Sequence, residues 1–191
     1  GVIGLGTGSI AAYGQPGDNI TFYEIDPAII DIAKDPRYFT YLSNSQANVR
    51  TVTGDGRLSL ARDGAKYDLL VIDAFSSDAI PMHLLTTEAL GLYKNHLSPN
   101  GLLALHISNR NLLLEPVVQA GAKVQCMEAL TRYDQGRRSP EGLHLASLWM
   151  ILAPEPKSLD NLKDEQGWRA THDRGLRAWT DDYSNLLDAL P

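Results

Sequence analysis

Four acids stand where apolar runs end in this 191-residue sequence. Glu24 closes "NITFYEI", Asp55 follows "NVRTVTG", and Asp73 and Asp78 follow "YDLLVI". A carboxylate at the end of a strand accepts hydrogen bonds from ribose hydroxyls or from an exocyclic amine, and it can take a proton from an ammonium. Ahead of these acids, Gly4, Gly6 and Gly8 alternate in "GVIGLGTGSIAAYG". Missing side chains there let the chain turn tightly between a strand and a helix and let a ligand lie against the backbone. Gly6, Gly8 and Ala11 also satisfy G-x-G-x-x-A, so the glycines alone leave a nicotinamide dinucleotide open. The acids narrow the choice. Glu24, sixteen residues past Gly8, suits ribose hydroxyls and disfavours a 2′-phosphate. Asp55 is placed to accept the exocyclic amine of adenine. Acids after three successive strands suit an adenosine ligand that carries a sulfonium cation and no phosphate. Asp26 and Pro27 read more plainly as the N-cap and first position of a helix, and the plain alternative for Asp73 is to cap the turn that follows it.

Strand ends carrying such residues must be brought together by a sheet. "GVIGL", "NITFYEI", "NVRTVTG", "YDLLVID" and "GLLALHIS" read as short strands buried on both faces. "GSIAAYG", "DPAIIDIAKD", "GRLSLAR" and "TTEALGLYKNHL" between them have helical spacing, and "SPNG" reads as the stop and turn after the last. This alternation predicts an α/β domain, a Rossmann-like, doubly wound, mostly parallel sheet with helices on both faces. Its ligands bind beyond the carboxyl ends of the strands. Farther on, "AKVQCMEALTRYD" and "LHLASLWMILAP" read as an antiparallel hairpin at one edge, with "QGRRSPEG" as its loop. Residues 1–153 are expected to form the nucleoside-binding core. Residues 154–191 are expected to form an extension packed on the same domain, with a surface connection through "APEPKSLDNLKDEQGW" and a short terminal helix.

The bulk numbers agree with one soluble domain, since 191 residues with 43% hydrophobic and 21% charged suit a single core. A net charge of −6 argues against nucleic acid, whose binding draws on Lys and Arg. No apolar run approaches the ~18 residues of a membrane span, and no basic leader opens the chain. The single cysteine, Cys126, excludes an internal disulfide, points to a reducing, cytoplasmic compartment, and reads as a small buried hydrophobe. The five histidines are scattered and no metal is expected. His83 reads as a surface or capping residue, His106 as a hydrogen-bonded core residue, and Trp149, Trp168 and Trp179 as packing residues.

"GLGTG", "YEIDP", "GDGR" and "YDLLVIDAFSSDAIP", in that order and spacing, resemble the class I S-adenosylmethionine-dependent methyltransferase fold. More narrowly they are similar to spermidine synthase-like proteins, including bacterial members fused to a membrane domain; the tail "WTDDYSNLL" is similar as well. The resemblance implies a transferase of polyamine biosynthesis that moves an aminopropyl group from decarboxylated S-adenosylmethionine to a small cationic amine such as putrescine, releasing methylthioadenosine. By the same resemblance Gly4, Gly6, Thr7 and Gly8 shape the nucleoside and thioether pocket, Glu24 holds the ribose, Asp55 the adenine, and Gly54 and Ala74 border the ligand. Asp73 would be the base or positioning group for the attacking amine, with Asp78 the second acid of its motif. A homodimer, and a longer parent protein with a membrane domain, fit the resemblance too.

Two departures stand out. The family's first loop reads "GGGDGG", and here "GLGTGS" puts Thr7 where an aspartate helps to bind the aminopropyl end or the amine. "DAFSSD" also sets Asp78 five residues after Asp73 instead of three. These keep a methyltransferase using intact S-adenosylmethionine, and a non-catalytic nucleoside-binding module, in play. The chain begins inside its first strand, where family members carry an N-terminal β-rich segment, so either an excised or truncated domain or a member reduced to its binding core is expected. Asp181, Asp182 and Tyr183 either fold back toward a cationic amine or cap the terminal helix.

Overall fold

The structure is a computed structural model and describes residues 1–74, 81–139 and 142–190. The chain forms two compact units, one of Gly1–Ala65 with Val71–Ala74, the other of Lys66–Leu70 with the chain beyond Ala74.

The first unit carries β1 (Val2–Ile3), β2 (Asn19–Glu24), β3 (Asn48–Thr53) and the last two residues of β4 (Tyr67–Ile72). These strands pair in parallel in the order β4-β1-β2-β3. Two helices connect them, α1 (Pro27–Lys34) and α2 (Gly56–Arg62). Each starts on an aspartate whose carboxylate takes an orphan amide of the first turn. Asp26 accepts from Ala28 N at 2.8 Å and Asp55 from Leu58 N at 2.8 Å. Ile30 and Ala33 of α1 and Leu60 of α2 are buried, as are Ile3, Phe22 and Ile72 of the strands. The expected helix over "GSIAAYG" is only a five-residue 3-10 turn, Ser9–Tyr13. Gly8 before it and Gly14 after it are packed against neighbouring side chains. An added Cβ would stand 2.7 Å from Leu42 Cδ2 at Gly8 and 2.6 Å from Ala47 Cβ at Gly14.

The second unit holds the start of β4, then α3 (Thr87–Asn95), β5 (Leu97–His106), α4 (Glu115–Val124), β6 (Glu128–Asp134), β7 (Arg137–Ser139), β8 (Gly142–His144), β9 (Ser147–Ala153), α5 (Asp160–Lys163) and β10 (Trp168–Ala170). Its strand order is β10-β6-β9-β5-β4. β9 runs antiparallel to both neighbours, with Met150 opposite Leu105 on one side and Thr131 on the other. The antiparallel pair is therefore not the edge. The edge is β10, which starts at the last residue of the expected surface connection and pairs Trp168 with Arg132. "SPNG" is also not a turn outside the sheet but part of β5, where Gly101 lets the chain approach Tyr67 O to within 2.7 Å of a would-be Cβ.

α4 was not expected from the sequence, and the residues "AKV" assigned there to a strand form its last turn. The helix stops in a Schellman turn, in which Met127 N donates to Ala122 O at 2.9 Å and Cys126 N to Lys123 O at 3.1 Å. Cys126 occupies the left-handed position of that turn at φ 51° and is exposed, so it is not the buried hydrophobe its neighbours suggested. "QGRRSPEG" carries β7, which pairs with β8 at Arg137 and His144. His106 does hydrogen-bond, with Nε2 2.7 Å from Ser108 Oγ, and it stacks on Trp149 at 4.7 Å.

The tail closes over α3. Trp179 is fully buried, Thr87 N donates to its carbonyl at 2.8 Å, and Thr86 Oγ1 donates to Asp181 Oδ1 at 2.8 Å. Asp181 thus docks at the start of α3. The terminal 3-10 turn, Leu186–Ala189, is capped by Asn185 instead, which accepts from Leu187 N at 3.1 Å.

Candidate functional site

Register builds the site in the first unit. Ile3 lies between Tyr23 and Ile72, so the next residues out, Gly4, Glu24 and Asp73, leave the strands side by side. Main-chain bonds hold this row: Gly4 N donates to Tyr23 O and Asp73 N to Ile3 O, both at 2.8 Å. Glu24 is paired with Thr53 of β3, and Gly54 N, one residue later, donates to Glu24 O at 2.8 Å. The carboxyl ends of four strands therefore bring Gly4, Glu24, Gly54 and Asp73 together, with Asp55 and Ala74 one residue beyond.

Glu24 is the buried member, 9% exposed. Its Oε2 accepts from Leu5 N at 2.9 Å and its Oε1 from Asp26 N at 3.0 Å. One side chain thereby ties the glycine turn to the entrance of α1. Among the described residues no cation is paired with it. A carboxylate oxygen has two lone pairs, so two amides leave acceptor capacity for the hydroxyls of a ligand. Asp55 spends Oδ1 on capping α2, a role that sequence reasoning did not assign to it.

The three glycines of the turn, all at positive φ, do three different things. At Gly4 an added Cβ would overlap the carbonyl of Asp73. At Gly8 it would meet Leu42. At Gly6 it would meet nothing within 4 Å, so Gly6 is the one that leaves a ligand room at the backbone. Thr7 beside it is exposed, and the turn from Gly4 to Gly14 carries no charged residue. Gly54 bends at φ +140°, with Ser59 Oγ 3.0 Å from where its Cβ would be.

Residues that sequence reasoning missed support this row. Leu42 covers Gly8, and Ser45 Oγ donates to Ala11 O at 2.7 Å, so the irregular chain after α1 clasps the glycine turn. No local pattern announces such a contact between residues 34 apart. Tyr23, one residue before Glu24, donates its hydroxyl to Asp63 at 2.7 Å, and Arg50 reaches the same oxygen at 2.5 Å. That hydroxyl above all, with the Arg50 guanidinium, holds the Asp63 carboxyl below the usual carboxylate range. Ile25 is 68% exposed and Leu58 58% exposed, apolar residues next to Glu24 and in the first turn after Asp55. An exposed isoleucine following a strand-end acid was a signal available in "YEIDP".

Asp78, with Phe75, Ser76 and Ser77, lies outside the described residues. Among the described residues no group of His, Cys, Asp and Glu could hold a metal ion, and no helix is long and apolar enough to cross a membrane.

No family model matches the chain. In sequence it is 38% identical over 120 residues to a polyamine aminopropyltransferase of Vibrio vulnificus and 34% identical over 110 residues to a probable polyamine aminopropyl transferase of Bifidobacterium longum. These alignments cover 60% and 56% of the chain but only 39% and 23% of those relatives. In structure it matches a probable spermidine synthase of Corynebacterium glutamicum with a TM-score of 0.63 at 14% identity, over 97% of this chain and 72% of that one. Human methyltransferase-like protein 13, solved in complex with SAH, matches with 0.55 at 23% identity over 88% and 83% of the two chains. A spermidine synthase in complex with the transition-state analogue AdoDATO matches with 0.52 at 14% identity over 100% and 63%. The chain is thus similar in sequence to polyamine aminopropyltransferases over part of their length, and its α/β, mostly parallel fold is the one seen in solved spermidine synthases and methyltransferases.

Proposed function

We propose that the first unit binds the nucleoside of decarboxylated S-adenosylmethionine and that the protein transfers its aminopropyl group to a small amine such as putrescine. The observation that carries this reading is the row of Gly4, Glu24 and Asp73 at adjoining strand ends, in a chain whose sequence relatives are named polyamine aminopropyltransferases.

Each residue has a part. Glu24 accepts the ribose hydroxyls on the lone pairs that Leu5 N and Asp26 N leave open. Gly6 gives the ligand its closest approach to the main chain, and Ile25 and Leu58 offer apolar surface to the base. Asp73 holds the amine in line with the carbon on sulfur. An alkylammonium, with a pKa near ~10, has no lone pair until it gives up a proton, and Asp73 helps to remove it. The nitrogen then bonds to that carbon, the carbon–sulfur bond breaks with its electron pair going to sulfur, and the sulfonium becomes the neutral thioether of methylthioadenosine.

Calorimetry with decarboxylated S-adenosylmethionine, intact S-adenosylmethionine and methylthioadenosine tests the donor. Preference for the decarboxylated donor supports aminopropyl transfer. Preference for the intact donor moves the assignment to methyl transfer, the second reading, which the uncharged turn at Thr7 favours. Given aminopropyl transfer, Asp73→Asn is expected to lower its rate by about 10²- to 10⁴-fold, with methylthioadenosine affinity nearly unchanged. An undiminished rate would make Asp73 structural.

A further inference from the structure

We propose that Gly4 is a positioning residue for Asp73, acting through the Asp73 main chain and not as a wall of the nucleoside pocket. The inference rests on the role given to Asp73 above. The three atoms nearest to a Cβ added at Gly4 all belong to the Asp73–Ala74 backbone. A Cβ there would overlap the Asp73 carbonyl oxygen, lie 2.8 Å from its carbon and 3.1 Å from Ala74 Cα. All three are main-chain atoms, so no rotamer change relieves the overlap. β1 cannot retreat either, because Gly4 N is bonded to Tyr23 O on one side and Ile3 O accepts from Asp73 N on the other. The strand end of β4 must give way.

The three glycines therefore divide the work of one motif. Gly6 faces open space, Gly8 faces a flexible leucine, and Gly4 faces the backbone of the acid proposed to activate the amine. Clearing the overlap at Gly4 moves Asp73 by on the order of 1 Å, and a misplacement of that size costs on the order of 100-fold in rate.

The test compares wild type, Gly4→Ala, Asp73→Asn and the double variant for transfer from decarboxylated S-adenosylmethionine to putrescine, and for methylthioadenosine binding by calorimetry. Gly17→Ala is the strain control, since Gly17 shares φ +97° with Gly4 but has nothing within 4 Å of an added Cβ. The expected result is a kcat lowered by on the order of 100-fold in Gly4→Ala, methylthioadenosine affinity within about threefold of wild type, and no further loss when Gly4→Ala is added to Asp73→Asn. Equal losses of rate and nucleoside affinity, additive losses in the double variant, or failure of Gly4→Ala to fold while Gly17→Ala folds would each overturn the proposal. Absence of transfer by wild type would defeat the functional reading separately. Crystal structures of wild type and Gly4→Ala then decide the positioning claim: Asp73 displaced with Glu24 in place upholds it, and an unmoved Asp73 overturns it.

Discussion

Among the described residues each unit buries one glutamate, and the two are held in opposite ways. Glu24, 9% exposed, is held by the neutral amides of Leu5 and Asp26. Glu115, 8% exposed, takes a two-pronged Arg169 guanidinium at 2.9 and 2.8 Å and a further amide from His172 at 3.0 Å. The arginine fork and that amide occupy three of Glu115's four acceptor positions and supply a countercharge, and the result is a clamp that fixes β10 to the start of α4. Amides fix Glu24 just as firmly but supply no countercharge and leave lone pairs unused. A buried carboxylate is therefore best read by what holds it. One paired with a cation ties elements of the fold together, and one held by main-chain amides alone keeps its charge uncompensated and half of its lone pairs open.

Removing each carboxylate should separate the two roles. Glu24→Ala is expected to weaken methylthioadenosine binding by about 1–3 kcal/mol, read by calorimetry, because the ligand loses its acceptor and the buried Leu5 amide and the partly buried Asp26 amide lose theirs. Glu24→Gln is the stricter variant, since it keeps the shape but replaces one acceptor by a donor facing an amide. Glu115→Ala should cost about 1–2 kcal/mol of stability in urea denaturation, below the figure for a fully buried pair because Arg169 is half exposed and regains water. It should leave nucleoside affinity unchanged. If both variants move both quantities together, the contrast between them is wrong.

Asp63 extends the comparison to pH. Its carboxyl is held low by the Tyr23 hydroxyl first and by Arg50. A depressed folded-state value gives stability that is fully present above the ordinary 3.8 and disappears as pH falls through the folded value. Urea midpoints measured from about pH 5 to pH 3 should thus fall more steeply for wild type than for Asp63→Asn. Parallel curves would mean that this contact contributes nothing. The smallest effect concerns the turns. In the first unit every described left-handed residue is a glycine, whereas the turn after α4 uses Cys126. Cys126→Gly should raise stability by about 0.5–1 kcal/mol, and a lowered thermal midpoint would show that the thiol is making a contact worth more than the strain.

The first unit was legible in the sequence because its signals are local. Runs such as "NITFYE" are short, β-branched and followed at once by the residues that cap or turn the chain. Parallel register then aligns Gly4, Glu24 and Asp73 with no further information. The second unit hid its parts because they depend on distant partners. α4 carries Val117 and Val118, which favour strands in isolation, and it contains Gly121, whose missing side chain admits Leu90. β10 is only three residues, Trp168, Arg169 and Ala170, and what makes it a strand is β6, more than thirty residues earlier. The site's residues were readable for the same local reason, but their partners were not. Nothing near Glu24 in the sequence shows that it grips Leu5, nineteen residues away.

The docking of Asp181 on Thr86 spans 95 residues. During synthesis the contacts of the first unit are all available once Ala74 has emerged, whereas the start of α3 must wait for Trp179 and Asp181. At about 5–20 residues per second that wait is on the order of 5–20 s. Through it the first unit can already be folded while α3 lacks its cover, so the newborn chain should be protease-sensitive in its second half well after its first unit has become resistant.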